Sequence, residues 1–368
     1  EREPGTRDPS GTLREDAIAL VAKLLPDRSD AELAAGLQWA QELANEFGIT
    51  TVFSASTDEA GLRTYAEADR KGTLTLRVIA GIHLPDPLPD SSIPRLRQLR
   101  SRYTTARVRP TAVKLFADGV IESRTAALLA PYLGLQGNTG PAIYQPSRLK
   151  ELAAALDRDG FQIHVHAIGD RAVRMTLDAF AHAQARNGVH DARHTITHLE
   201  LIDPEDIPRF RALGAIANFQ PFWSSGDEYL TRLTEPVLGP ARSRWLYPIA
   251  SVARTGAVVT GGSDWSVSSL NPLDAIEMGI THQQQHQPGQ RPWNPAERAD
   301  LATMIEMYTI NAAYQNHLER ETGSIEVGKL ADLIVLDKNL FEIPTGEIHR
   351  ARVIRTLLEG KTVYDGVK

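Results

Sequence analysis

Four stretches carry the reading: Thr111-Ala-Val-Lys114-Leu-Phe-Ala-Asp-Gly119, Phe161-Gln-Ile-His-Val-His166-Ala-Ile-Gly-Asp170, His194-Thr-Ile-Thr-His198-Leu-Glu200 and Val258-Val-Thr-Gly-Gly-Ser-Asp264. Each is a short, mostly apolar run punctuated by Gly or an acidic residue, the pattern of a strand buried on both faces. The runs carry Lys114, His166, His198 and Asp264 at or near their ends. A parallel barrel delivers the C-terminal ends of its strands to one rim, where active sites sit. Lys, His, His and Asp would therefore converge on one centre, although they span about 150 residues of chain.

Outward from these runs the same alternation continues. Gly48–Ser54, Leu74–Gly81 and Gly214–Gln220 read as further strands. Asp30–Phe47, Pro146–Arg158, Asp170–Asn187 and Pro204–Leu213 carry apolar residues at helical spacing. Repeated β–α alternation predicts a parallel sheet with helices outside it. The count reaches seven strands, whereas a closed barrel of this type has eight. Leu301 to about Leu318 reads as one helix. After Gly323 three β-rich stretches follow: Gly323–Asp337, Val353–Glu359 and Lys361–Tyr364. The Pro- and Gln-rich segment His282–Pro295 reads as a loop whose glutamines and two histidines are solvated.

Composition bounds the rest. A chain of 368 residues with 42% hydrophobic and 23% charged residues fits a globular protein with one large barrel or two ordinary domains. Net charge of −6 gives no bulk attraction to nucleic acid, and no apolar run has the length of a membrane span. The absence of cysteine excludes disulfides, thiolate metal ligands and a cysteine nucleophile. The chain starts Glu1-Arg2-Glu3 without a Met or a signal-like segment, and the true N-terminus is expected upstream.

Each candidate has a plain structural alternative. His166 as a neutral imidazole suits Zn, Fe, Ni or Mn, or is a hydrogen-bonded core histidine. His164, two residues away on the same strand face, is expected one layer deeper as filling or support. His198 is the second ligand candidate, and His194 at the start of its strand is expected to be structural or exposed. Asp264 after Gly261-Gly-Ser would bind metal and accept a proton from water, or cap the next helix. Lys114 in an apolar strand either reacts with CO2 to form a carbamate or pairs with Asp118 or Asp264.

Taken together, these residues resemble the amidohydrolase superfamily, and within it the family 3 branch that includes N-substituted formamide deformylases. The stretches that carry the resemblance are Val113–Gly119 with Ser123–Ala126, Val165–Ala172, Ile196–Glu200, Gly262–Ser266 and Gly323–Asp337, with Thr6–Gly11 and Gly48–Val52 in support. The resemblance implies a (β/α)8 TIM barrel of the metal-dependent hydrolase type at residues 1–318, and a C-terminal part of a composite β-sandwich at 319–368. It implies a divalent metal, Zn first with Fe, Ni or Mn as alternatives, bound as one or two ions. Lys114, carboxylated if two metals bind, His166, His198 and Asp264 would be ligands, with Asp264 also the general base. Arg124, Gln220, Trp223 and Trp265 would shape the pocket for a small-molecule amide.

The sequence departs from the family in one respect. The family's first strand ends in a His-x-His pair, and the only such pair here is His164 to His166, on the fifth strand. The barrel is thus expected to lack its first strand, leaving His166, His198 and Asp264 plus water for a mononuclear site. The expected activity is hydrolysis of a non-peptide C–N bond by metal-activated hydroxide. The alternatives are a catalytically incomplete barrel acting in binding or structure, and an ester, lactone or phosphotriester hydrolase. Trp223, Trp245, Trp265 and Trp293 hint at an apolar N-aryl or N-benzyl substituent, or at ordinary packing. No nucleic-acid or membrane partner is expected; a homodimer and a cytoplasmic location are.

Overall fold

A computed structural model describes residues 5–11, 13, 15–285 and 289–367. Its centre is one sheet of seven strands: β1 (Thr51–Thr57), β2 (Arg77–Ile82), β3 (Val108–Phe116), β4 (Gln162–Ala167), β5 (Thr195–His198), β6 (Ile216–Phe219) and β7 (Val259–Gly261). Their spatial order equals their order in sequence, and every neighbouring pair is parallel. This is the sheet of a (β/α) barrel, curled and open: β1 and β7 are its two edges. All residues of β2, β4, β5 and β6 are buried, as strands covered on both faces must be.

The crossovers are the expected helices. Asp30–Glu46 opens with a capping box in which Ser29 and Glu32 satisfy each other's backbone N–H groups. Pro146–Arg158 starts on a proline, which is preorganised for the first helical turn. Asp170–Asn187 packs against it over the outer face of β4. The helix after the His198 strand begins at Ile207 rather than Pro204, because Asp203 first holds a turn by accepting from the Glu205 N–H. Among the described residues no helix is long and apolar enough to cross a membrane.

Three expectations need correction. The stretch from Leu301 is two helices, Leu301–Tyr308 and Ile310–Gln315, broken where Thr309 leaves helical geometry (φ −127°, ψ −99°). The break lets the Asn311 side chain donate to the Val259 carbonyl of β7. His282 is not solvated: it is fully buried, with Nδ1 bonded to the Trp293 carbonyl. Gln283, Gln284 and Gln285 are half-buried and hydrogen-bonded, and His286 lies outside the described residues. Finally, only Leu333–Leu336 of the Gly323–Asp337 stretch is a strand.

That strand, β8, joins β9 (Val353–Leu358) and β10 (Lys361–Asp365) in one antiparallel sheet of order β10-β9-β8. The β-sandwich portion expected at 319–368 is thus a single sheet among the described residues. It is fastened to the barrel near the N-terminal ends of β2 and β3. Arg77 of β2 reaches Asp332 at 2.6 Å and Glu359 at 3.0 Å, and Arg107 also holds Glu359. Thr356 Oγ1 donates to the Asn45 carbonyl at the end of the first long helix.

Candidate functional site

Register places the candidate residues. Lys114 lies beside His164, Phe116 beside His166, Ala167 beside His198, and Phe219 beside both His198 and Gly261. His166 and His198 therefore reach the C-terminal rim, while Lys114 and His164 form the layer beneath. At the end of β5 the backbone turns through left-handed geometry at His198 (φ 80°) and Leu199 (φ 53°). Leucine rarely adopts that region, and such strain persists only where surrounding structure enforces it.

The two imidazoles touch. Their ring centroids are 4.6 Å apart at 66°. Trp223 lies flat on His198 (5.6 Å, 7°), and Phe116 stands 5.1 Å from His166. His164 stacks on Phe53, fills the barrel, and leaves Nδ1 without a hydrogen-bond partner. Lys114 is buried, its Nζ 4.8 Å from the Phe116 ring centre.

Burial sets the charge states. It pushes the His166 pKa down to about 3, with the Lys114 charge adding to the effect. His198 and His164 are lowered in the same way, by burial first and by neighbouring Lys and His second. Lys114 is lowered to about 8, again by burial, with Asp264 and Asp86 pulling the other way. The pair is thus neutral at pH 7, and each ring keeps one lone pair. His198 Nδ1 faces Gln220 Oε1 at 2.8 Å and so carries the proton, leaving the lone pair on Nε2. His166 Nε2 donates to the Gly119 carbonyl at 3.0 Å, leaving the lone pair on Nδ1.

Several assignments change in the structure. Asp264 is at the rim but is not gathered with the imidazoles into a cage. β7 ends at Gly261, and after Gly262 and Ser263 comes Asp264, exposed and in left-handed geometry (φ 51°). Its carboxyl pKa is raised by the surrounding protein, against the pull of Lys114. The Lys114–Asp alternative is not formed. No carboxylate comes within ion-pair distance of Lys114 among the described residues, and Asp118 is engaged elsewhere. Gln220 is buried and spent on His198 rather than open to a substrate. Arg124 is exposed, in left-handed geometry, and Trp265 is exposed beside Trp39. Trp245 and Trp293 are packing, set against the apolar cluster of Ile121, Tyr132, Leu201 and Leu246. His194 is structural, buried with Nε2 on Asp157 at 2.9 Å.

Asp118 entered the sequence reading only as an alternative partner for Lys114. Its carboxylate accepts the N–H groups of Ala127 (2.8 Å), Ile168 (3.0 Å) and Gly169 (2.9 Å). It stands 3.6 Å from His166 Nε2, and burial raises its pKa to about 7 despite those bonds. Glu200 is new: buried beside Glu122 and Tyr247, with its pKa well raised, chiefly by burial. The one signal for either was an acidic residue just past a strand, a position shared by many turns.

For a metal, the donor chemistry fits in part. Two neutral imidazoles in contact, with free lone pairs, suit Zn and its borderline neighbours. Among the described residues, however, no three His, Asp or Glu side chains stand close enough to hold an ion. The assembled portion is the imidazole pair over a lysine that loses its proton readily.

The amidohydrolase family model matches residues 1–364. The protein LONG AFTER FAR-RED 3 of Arabidopsis thaliana is 28% identical over 97% of this chain and 62% of its own length. The N-substituted formamide deformylase of Arthrobacter pascens is 24% identical over 97% of this chain and 66% of its own length. The chain thus spans just under two thirds of the length of these relatives. A crystal structure of a metal-dependent hydrolase from Pyrococcus furiosus superposes with a TM-score of 0.71 at 22% identity, covering 88% of this chain and 65% of that one. This last likeness establishes the barrel architecture.

Proposed function

The chain belongs to the amidohydrolase family, and from that premise we propose a metal-dependent hydrolase that cleaves a non-peptide C–N bond of a small amide, with N-substituted formamides first among substrates. The observation that carries the proposal is the His166–His198 pair: buried, neutral, in contact and at the C-terminal rim of the sheet. The deformylase relative supports the choice of substrate class.

Each residue has a defined task in this reading. His166 and His198 would hold a divalent cation, Zn first, through Nδ1 and Nε2 respectively. When bound, the cation supplies Lewis-acid activation of the carbonyl and of water. Gly119 fixes the His166 ring, and Gln220 fixes His198. Asp264, at the rim with a raised pKa, takes the proton of the attacking water and delivers it to the leaving amine. Trp223 covers one face of His198 and keeps bulk water from it. Lys114, neutral in a substantial fraction near its pKa of about 8, adds to CO2 with loss of one proton and so gains two oxygen donors.

The experiment is incubation of the Zn2+-supplemented protein with an N-aryl- or N-benzylformamide, following formate and amine. Equimolar release that disappears with chelator, and in Asp264→Asn, is the expected result. A second reading, a barrel that binds metal or amide without turning it over, has one observation in its favour: no three-donor cage among the described residues. Zn2+ binding without product would select it.

A further inference from the structure

A buried chain of side chains runs from His198 across three strands to the last helix of the barrel. His198 Nδ1 meets Gln220 Oε1 at 2.8 Å. Gln220 Nε2 donates to Asn218 Oδ1 at 3.1 Å and to Thr197 Oγ1 at 3.4 Å. Thr197 Oγ1 also donates to Asn218 Oδ1, at 2.7 Å. Asn218 Nδ2 donates to Thr260 Oγ1 at 2.9 Å, and Thr260 Oγ1 donates to Gln315 Oε1 at 2.6 Å. All six residues are buried. Register explains the alignment: Thr197 of β5, Asn218 of β6 and Thr260 of β7 are successive neighbours across the sheet.

With Gln315 Oε1 as the terminal acceptor, the direction of donation along the rest of this chain follows. A hydroxyl has one hydrogen. Thr260 gives its hydrogen to Gln315, so toward Asn218 it can only accept. The Asn218 NH2 must then face Thr260, and its carbonyl oxygen must face Thr197 and Gln220. Gln220 in turn presents its NH2 to Asn218 and its carbonyl to His198. A carbonyl opposite Nδ1 requires a hydrogen there, which leaves the lone pair on Nε2. Reversal at any link would leave two donors or two acceptors facing each other in a buried site, at the cost of an unmade hydrogen bond.

We propose that Thr260 and Gln315, neither of which hydrogen-bonds the imidazole, are positioning residues that fix His198 as its Nδ1–H tautomer and so aim the Nε2 lone pair. The link to metal affinity rests on the reading of His198 as a ligand; the tautomer does not. Thr197, Asn218 and Gln220 relay the polarity.

The test is nitrogen NMR on histidine-labelled, metal-free protein, assigning the His198 ring by its absence in His198→Gln. In the unsubstituted protein His198 is expected as the Nδ1–H form. Thr260→Val keeps the side-chain shape but removes the hydroxyl, so the Asn218 amide is free to turn. Signals of the Nε2–H form should then appear, and Zn2+ affinity by equilibrium dialysis should fall about 10- to 100-fold. Thr260→Ser restores a hydroxyl and should restore the Nδ1–H form. An Nε2–H form in the unsubstituted protein, or an unchanged Nδ1–H form in Thr260→Val, overturns the proposal. If Thr260→Val does not fold, the unsubstituted protein and Gln220→Leu, which removes the carbonyl itself, decide it by the same signals. Absence of amide hydrolysis with the Nδ1–H form intact would count against the hydrolase reading and leave this one standing.

Discussion

Lys114 shows what burial does to a single residue. Its ammonium has no carboxylate within pairing distance among the described residues, and its pKa falls from 10.5 to about 8. The folded protein therefore releases a proton that the unfolded chain still holds between about pH 8 and 10.5. Stability contributed by this group rises with pH across that window, and the full penalty applies below it. The gap corresponds to roughly 3 kcal/mol. Lys114→Met is accordingly expected to stabilise the metal-free protein by up to about 3 kcal/mol at pH 7, with the gain fading toward pH 10.5, as read by urea unfolding at both pH values. Lys114, His166 and His198 were legible in the sequence because a charged or imidazole side chain in a buried strand is conspicuous. Asp264 was legible as a rim residue, but its left-handed backbone was not. Its position depends on the turn taken after Gly261, and no periodicity encodes a left-handed backbone angle.

Among the elements, the strands were the most legible. Runs such as Phe161–Ala167 are apolar, β-rich and bounded by glycine, so all seven were found with their ends shifted by a few residues. Elements whose form is set by distant contacts were not. The break at Thr309 is stabilised by what Asn311 does for β7, and the burial of His282 follows from a bond to Trp293 eleven residues later. Asp118 is the same kind of case, since it joins the turn after β3 to the turn after β4. Asp118→Ala would leave the buried N–H groups of Ala127, Ile168 and Gly169 without their acceptor. The expected loss is at least about 3 kcal/mol of stability, seen as a lower denaturation midpoint. Asp118→Asn, which keeps one acceptor oxygen, should lose less.

The molecule as a whole depends on groups that burial keeps in one charge state or pairs across long sequence distances. His164, His166, His194 and His198 all have lowered pKa values, with burial the largest cause in each. The unfolded chain binds protons below about pH 6.5 that these folded histidines refuse, so stability should fall as pH drops through that value. Melting temperature from pH 7.5 to 5 should show it, with a shallower slope in His164→Phe. The three-stranded sheet depends on Arg77 and Asp332, whose side chains are only 2% and 1% exposed. Asp332→Ala should cost roughly 3–5 kcal/mol because it leaves a buried guanidinium short of its partner; urea unfolding measures this. This link was not legible from sequence, as the partners lie 255 residues apart.

The central claim is that His166 and His198 together form the metal-binding core of a hydrolase. Equilibrium dialysis of Zn2+ against the chelator-stripped protein, His166→Ala and His198→Ala, with folding checked by circular dichroism, tests it most directly. The account predicts Zn2+ bound by the unsubstituted protein and lost in both folded variants. No binding by the unsubstituted protein, or binding that survives either substitution, would contradict it.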